Sequence, residues 1–302
     1  MSMLDPKSPA FQPNFAKPAS TCHEGVIKDV WSHNLEEEIK KISVLSERYS
    51  LVAMDTEFPG IVFHVDEDRE DISYQTVRVN VNHLKMIQLG VTLGNDDGLL
   101  PSPICTWQFN FKFDLNKDYY AQDSIDLLLG SGIDFALHRD FGIDPRDFAE
   151  HITTSGLVLN EEINWVSFHS AYDFGYLLRA VTGEDLPDNE DRFLEQLKMY
   201  FNNFYDIKFM VSSDERMKGG LNKLADSLNV KRVGIMHQAG SDSMVTLQTF
   251  YQLKRQKFTN GIPEEHSSVL YGVGASGRQA GMQTHYRSHS SAQEPSSLFV
   301  PI

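Results

Sequence analysis

Four apolar residues, Leu51 to Met54, run straight into two acids, Asp55 and Glu57, in the stretch LVAMDTEFPG. Side chains on an extended chain repeat every two residues, so both carboxylates share one face. The apolar run reads as a buried central strand. Two adjacent carboxylates at its end repel each other unless a cation joins them or the strand end is exposed. Whatever this chain folds into must place that strand centrally and leave its acidic end accessible.

The flanking segments suggest how. Upstream, Asn34 precedes LEEEIKKISVLSERY, in which Leu35, Ile39, Ile42, Leu45 and Tyr49 recur at helical spacing and Glu37 occupies the capping-box position. Downstream come GIVF, the acidic loop HVDEDREDIS, the apolar LKMIQLGVTL, a turn through GNDDG, and CTWQFNFKF. In that last segment Trp107, Phe109, Phe111 and Phe113 alternate strictly, as in a strand with one buried face. An antiparallel meander is expected here. Beyond Asp114 the pattern is mainly helical, interrupted by two short strands, Trp165–His169 and Tyr205–Val211, each leading into a helix. Together these features predict an α/β fold, a ribonuclease H-like mixed sheet flanked by helices.

The chain has 302 residues, 41% of them hydrophobic, enough for one large core, and no repeat or linker divides it. Residues 1–23 are rich in Pro, Ser and Ala and read as a disordered leader; 24–272 form a single domain; 273–302 are small, polar and aperiodic and read as a disordered tail. No membrane span or secretory signal is visible, so a soluble, intracellular protein is expected. Cys22 and Cys105 lack metal-ligand spacing and read as reduced structural thiols. A net charge of −15 argues against a broad basic surface for phosphate backbones, but a site that holds divalent cations needs acids of its own.

A DxE triplet by itself means little: Asp68/Glu70 and Asp188/Glu190 repeat it in charge-dense loops, where a solvated surface run is the natural reading. Two further elements give Asp55 and Glu57 company. In WVSFHSAYDFGYLL, Ser170 is an N-cap candidate and Asp173 falls in the first helical turn, which a capping box or the helix dipole alone could explain. In IMHQAGSDSMVTLQTFYQL, Met244, Leu247 and Tyr251 mark the buried face of a helix beginning near Ser243, with Asp242 at its start and His237 just before it.

In the order strand-DxE, helix-Asp and His-x4-Asp, these motifs resemble the DEDD superfamily of 3′-to-5′ exonucleases, in its DEDDh branch. VAMDTEFPG, SFHSAYDFGYLL, YDIKFM and HQAGSDSMVT resemble more closely the CCR-associated factor deadenylase family, the catalytic poly(A) ribonuclease subunit of the CCR-NOT complex, over about residues 24–272. Ala171 stands where the family pattern has Gly, a change a first helical turn accepts. The resemblance implies a DEDD exonuclease fold and two divalent cations, Mg2+ or Mn2+, with Asp55 bridging both, Glu57 and Asp242 on the one that activates water, and Asp173 on the other. Hard oxygen donors suit such ions, and four carboxylates balance two dications. His237 fits a general base, since imidazole titrates near neutrality.

The implied substrate is the 3′ poly(A) tail of messenger RNA, released as 5′-AMP; the residues alone argue only for single-stranded nucleic acid, with Phe58 and Phe168 or His169 as candidate base contacts and core packing the natural role for Phe168. Lys208, Lys218, Lys223, Lys231 and Arg232 bring positive charge near the third motif, and Asp206 reads as a structural acid. Implied partners are a NOT scaffold subunit and a second deadenylase subunit, with no membrane, and the expected location is cytoplasmic and nuclear. The alternatives are an exonuclease of the same fold acting on DNA and a non-catalytic bridging subunit; the intact acids and His237 speak against an idle site.

Overall fold

The computed structural model describes residues 22–23, 25–65 and 69–281. Among them the chain opens with β1 (Cys22–His23) and β2 (Ile27–Val30), helix α1 (Leu35–Ser46), the acid-bearing β3 (Leu51–Glu57), α2 (Ile72–His83), β4 (Gln88–Gly94) and β5 (Thr106–Asn110). Three short helices follow, α3 (Gln122–Gly130), α4 (Phe135–Phe141) and α5 (Pro145–Thr153), then β6 (Asn164–Ser167), α6 (Ala171–Thr182), α7 (Glu190–Tyr200), β7 (Asn203–Asp206) and α8 (Ile207–Met210). The chain continues through α9 (Leu221–Ser227), the long α10 (Ala239–Gln256) and a last helix, α11, over 274–281.

The seven strands form one mixed sheet in the order β1-β2-β5-β4-β3-β6-β7. β3, β4 and β5 are the expected antiparallel meander, while β6 and β7 run parallel to β3 and β2 runs parallel to β5. Alternation along β3 divides the core. Val52 and Met54 join the larger cluster with α1, α2, α6 and α7, whereas Leu51 and Ala53 face α9 and α10. Asp55 and Glu57 continue the second set by period two, so they end up on the α10 side.

β3 is longer than its neighbour. Its pairing with β6 covers only Leu51–Ala53, whereas its pairing with β4 runs to Glu57. The acidic end of β3 therefore projects past β6, where parallel-sheet connections leave a crevice for ligands. No helix among the described residues is long and apolar enough to cross a membrane. Cys105 is a buried free thiol, and burial raises its pKa.

Several elements depart from the sequence expectation. Helix α2 is missed because Val77, Val79 and Val81 mimic a strand's alternation; its stripe is Tyr74, Val77 and Val81, all buried at helical spacing. GIVF is a loop, pinned by Asn80, whose side chain accepts from the Val62 and Phe63 amides and donates to the Phe63 carbonyl. The expected strand Tyr205–Val211 is instead the end of β7 followed by α8, because the Asp206 side chain caps the helix at Lys208 N. The strand expected at Trp165–His169 stops at Ser167.

The tail and Glu190 require larger corrections. The expected disordered tail from 273 begins as ordered chain: Leu270 and Val273 are buried, and α11 follows. Glu190, expected on a solvated surface, is buried, accepts from Gly274 N at 3.0 Å and forms an ion pair with Arg278. A buried carboxylate with both a backbone donor and an arginine ties this segment to the start of α7. Of the disordered leader expected over 1–23, Cys22 and His23 instead pair with β2 as β1, while residues 1–21 and the tail beyond 281 lie outside the described residues.

β5 is buried on both faces. Between its aromatic residues, Gln108 and Asn110 point into a closed polar layer beneath α10. Gln88 Oε1 accepts from Ala239 N at 3.2 Å and Gln108 Oε1 from Gly240 N at 2.9 Å, satisfying two first-turn amides of α10. The helix comes so close that a Cβ on Gly90 would lie 1.9 Å from the Ala239 carbonyl oxygen. Gly90→Ala is expected to destabilise the fold by about 1–3 kcal/mol through overpacking, read as a lower midpoint in urea denaturation. An unchanged midpoint would mean that α10 is not seated on β4.

Candidate active site

Three segments bring the sequence-predicted acids together. Asp55 and Glu57 come from the projecting end of β3, Asp173 from the first turn of α6 and Asp242 from the first turn of α10. α10 begins at Ala239, four residues earlier than the pattern of Met244, Leu247 and Tyr251 suggests, because its opening turn packs on the sheet with the small residues Ala239, Gly240 and Ser241. Ligand atoms of Glu57, His237 and Asp242 lie within 4.8 Å of one another. Asp55 lies close enough to feel the charges of Asp242, Asp173 and Glu57.

Asp173 does not serve the capping box. Its Oδ1 accepts from Thr56 N at 2.8 Å and Thr56 Oγ1 at 2.6 Å, taking the backbone donor left where β3 outruns β6. The Ser170 hydroxyl contacts Ser167 Oγ at 2.5 Å and caps nothing. Asp242 is fixed by both oxygens. Oδ2 accepts from His237 N at 2.9 Å, and Oδ1 lies 2.6 Å from Arg232 Nη2. Arg232 is itself held by Ser241 Oγ at 2.8 Å and by Asn222 Oδ1. His237 adopts φ 61°, a left-handed conformation maintained in part by the hydrogen bond its backbone N–H donates to Asp242.

The acids strain one another electrostatically. Burial first, then the charges of Asp242, Asp173 and Glu57, push Asp55 well above the ordinary carboxylate range, with Arg232 pulling the other way. Burial and the charges of Asp242 and Asp173 raise Glu57 to about 8. Asp173 is raised by burial to about 6, against the opposing hydrogen bonds from Thr56. Asp242 is also raised by burial, with Arg232 the main opposing influence. Four acids offset by a single arginine leave an excess of negative charge in a hard-oxygen donor set. That donor set fits divalent cations of the Mg2+ or Mn2+ kind, with Asp55, Glu57, Asp173 and Asp242 as the candidate ligands.

The candidate substrate contacts differ from one another. Phe58 lies beside the acids and stacks on Tyr172 at 5.0 Å between centroids; His169 is exposed on the turn after β6; Phe168 packs against the core, as expected. Among the cations near the third motif, Arg232 enters the acid cluster, whereas Lys218 pairs with Glu215 and Lys208 donates to the Gly219 carbonyl. Nothing in the spacing singles out Arg232. Thr56 was equally silent, although its place between the two acids of the triplet marks the backbone that Asp173 reaches.

A mixed sheet of this order, with acids from β3, α6 and α10 gathered at the strand's carboxyl end, defines a ribonuclease H-like nuclease. The chain belongs to the CAF1 family of ribonucleases: the model of that family matches residues 30–149. Poly(A) ribonuclease pop2 of Schizosaccharomyces pombe is 47% identical over 254 residues, spanning 83% of this chain and 76% of pop2. The structure of S. pombe Pop2p in its Mg2+- and Mn2+-bound form superposes with a TM-score of 0.80 at 46% identity, over 82% of this chain and 99% of that one. The structure of the yeast NOT1 MIF4G domain co-crystallised with CAF1 matches with a TM-score of 0.70 at 32% identity, over 81% of this chain and 96% of that one.

The raised carboxyl pKa values set a sign for the metal-free protein. Because Glu57 and Asp173 hold protons at pH values where the unfolded chain has released them, stability falls as pH rises from about 4, the unfolded value, through their folded values of about 6 and about 8. Cations bound to the ionised acids relieve this loss. The rise in Tm on adding Mg2+ or Mn2+ after EDTA treatment is expected to be larger at about pH 8.5 than at about pH 5.5. Equal rises at both would show that these acids do not form a cation site.

Proposed function

We propose that this protein is a divalent-cation-dependent 3′-to-5′ exoribonuclease that shortens the poly(A) tails of messenger RNA, releasing 5′-AMP. The observation that carries this reading is the meeting of Asp55, Glu57, Asp173 and Asp242 with His237 at one open strand end, in a chain of the CAF1 family. Similarity to a poly(A) ribonuclease and to a Mg2+- and Mn2+-bound relative supports the substrate and the cofactor. Bound cations would lower the pKa of a water and offset charge on the attacking and leaving oxygens of a phosphodiester.

The chain's own residues do the rest. Asp55, close to the other three acids, would share in holding the cations, with Glu57 and Asp242 on the His237 side and Asp173, clamped by Thr56, also contributing. His237 takes the proton from the attacking water, with its backbone anchored to Asp242 so that the ring stays beside the ligands. Arg232 holds the Asp242 carboxylate in orientation and tempers repulsion among the acids. Phe58 and His169 contact the substrate's bases. The match to a CAF1 chain crystallised with a NOT1 domain supports a NOT scaffold as partner; within such a complex a second deadenylase subunit would act beside this one, in cytoplasm and nucleus.

The test is a 5′-labelled RNA ending in an adenosine tract, incubated with purified protein and Mg2+ or Mn2+. Stepwise shortening from the 3′ end is expected, abolished by EDTA and lowered more than about 100-fold by Asp55→Ala or Asp242→Ala. Because each substitution removes one of several repelling acids, the metal-free Tm should hold or rise. Wild-type rates from either variant would end the two-cation assignment. His237→Ala should slow cleavage by about 100-fold or more and flatten the acid limb of the pH–rate profile while sparing cation affinity. An unaltered profile would remove His237 from the base role.

A further inference from the structure

A cleft of about 1130 Å³ opens from Asp173, away from the Asp242 side of the acid cluster. It exceeds the roughly 300–1,000 Å³ usual for small-molecule sites and suits an extended ligand. Phe58 and Tyr172 lie along it, and its outer wall is the C-terminal segment that begins at Tyr271 and continues into α11. Where that wall meets the turn after β6, the rings of His169 and Tyr271 stand edge to face, with centroids 5.1 Å apart and planes at 85°.

One buried carboxylate anchors the backbone of both residues. Asp206 is fully buried at the end of β7, and its Oδ1 accepts from His169 N at 2.8 Å and Lys208 N at 2.9 Å. Its Oδ2 accepts from Tyr271 N at 3.0 Å and Ser170 N at 3.3 Å. His169, a non-glycine residue, is held at φ 57°, in the left-handed region. A buried charge devoted to four backbone donors can hold such a turn, and strained turns of this kind gather at functional sites. Only a carboxylate can serve all four amides, since an asparagine would turn an NH2 group toward one pair.

We propose that His169 and Tyr271 form a base-contact subsite of this cleft for single-stranded RNA and that Asp206 is the positioning residue for both rings. The proposal rests on the nuclease reading of the adjoining acids. A nucleobase is flat and aromatic and stacks on such rings whatever its identity, which suits a site that must accept each successive nucleotide of a shrinking strand. Neither residue is one of the acids that would hold the cations, so their contribution falls on binding.

The experiment is a double-mutant cycle between protein and RNA. Wild-type protein, His169→Ala, Tyr271→Ala and Asp206→Asn are compared on oligoadenosine RNA, intact or carrying one abasic ribose at each position near the 3′ end. Wild type should lose about fivefold or more in kcat/KM at one abasic position. Tyr271→Ala and His169→Ala should show a similar loss on intact RNA, as a raised KM with kcat nearly unchanged, and no further loss at that position. Asp206→Asn should reproduce the Tyr271→Ala pattern. Additive losses at every position, or variants that lower kcat alone, would overturn the subsite. If Asp206→Asn does not fold, the two ring variants still decide. If wild type leaves intact RNA uncut, the nuclease reading fails, and fluorescence anisotropy with the same RNAs and variants tests the subsite by the same cycle.

Discussion

The seating of α10 on a polar sheet face governs the rest of this structure. The amides of Gln88 and Gln108 receive the first backbone donors of α10, and their own NH2 groups are spent on Asn110, Asp29 and the side chain of Gln238. Gln238 closes the layer by donating to the Ser131 carbonyl. Buried amides would cost stability if left unpaired, and here each finds a partner, so the layer acts as a keyed joint and not as a defect. An apolar face could bury the same helix but would let it slide or rotate. Thr92, bonded at 2.9 Å to both Thr106 and Ser243, locks the rotation one turn further along. Asp242 therefore points to the end of β3 with little freedom, and Gly90 permits the close approach that brings it there.

A joint of that rigidity is needed because the acids would otherwise separate. Their mutual repulsion, recorded in the raised carboxyl pKa values, pushes apart the three segments that carry them. Opposing it are the Thr56 clamp on Asp173, the Arg232 and His237 contacts to Asp242, and the apolar packing of α6 and α10 on opposite sides of the sheet. The scaffold thus stores an unfavourable charge arrangement that cations release, the usual state of a preorganised metal site.

Much of this was legible in the sequence, and the failures have physical causes. The four clustered acids could be found because each sits beside a strong local signal: an apolar strand, a helix start or a helical stripe. The antiparallel front of the sheet followed from the aromatic alternation of Trp107 to Phe113, but that alternation concealed the burial of Gln108 and Asn110, since polar residues in a strand read as solvent-facing until a helix is known to cover them. α2 was lost to its valines, whose alternation outweighs helical propensity when only neighbours are compared. Glu190 was misjudged, and the contacts of Asp206, a structural acid as expected, went unseen for the same reason. Their partners, Arg278 and the amides of His169 and Tyr271, lie far along the chain, and no local pattern announces a contact made across such a distance.

The dispersal of the site along the chain has a consequence for its birth. β3, with Asp55 and Glu57, leaves the ribosome before α6 with Asp173, and Asp242 and Tyr271 follow later still. Since domains fold largely as units during synthesis, a growing chain that stops short of α10 possesses the acidic strand without the helix that completes the cluster. The complete cluster, and with it the cleavage chemistry it would support, therefore waits for α10 to emerge.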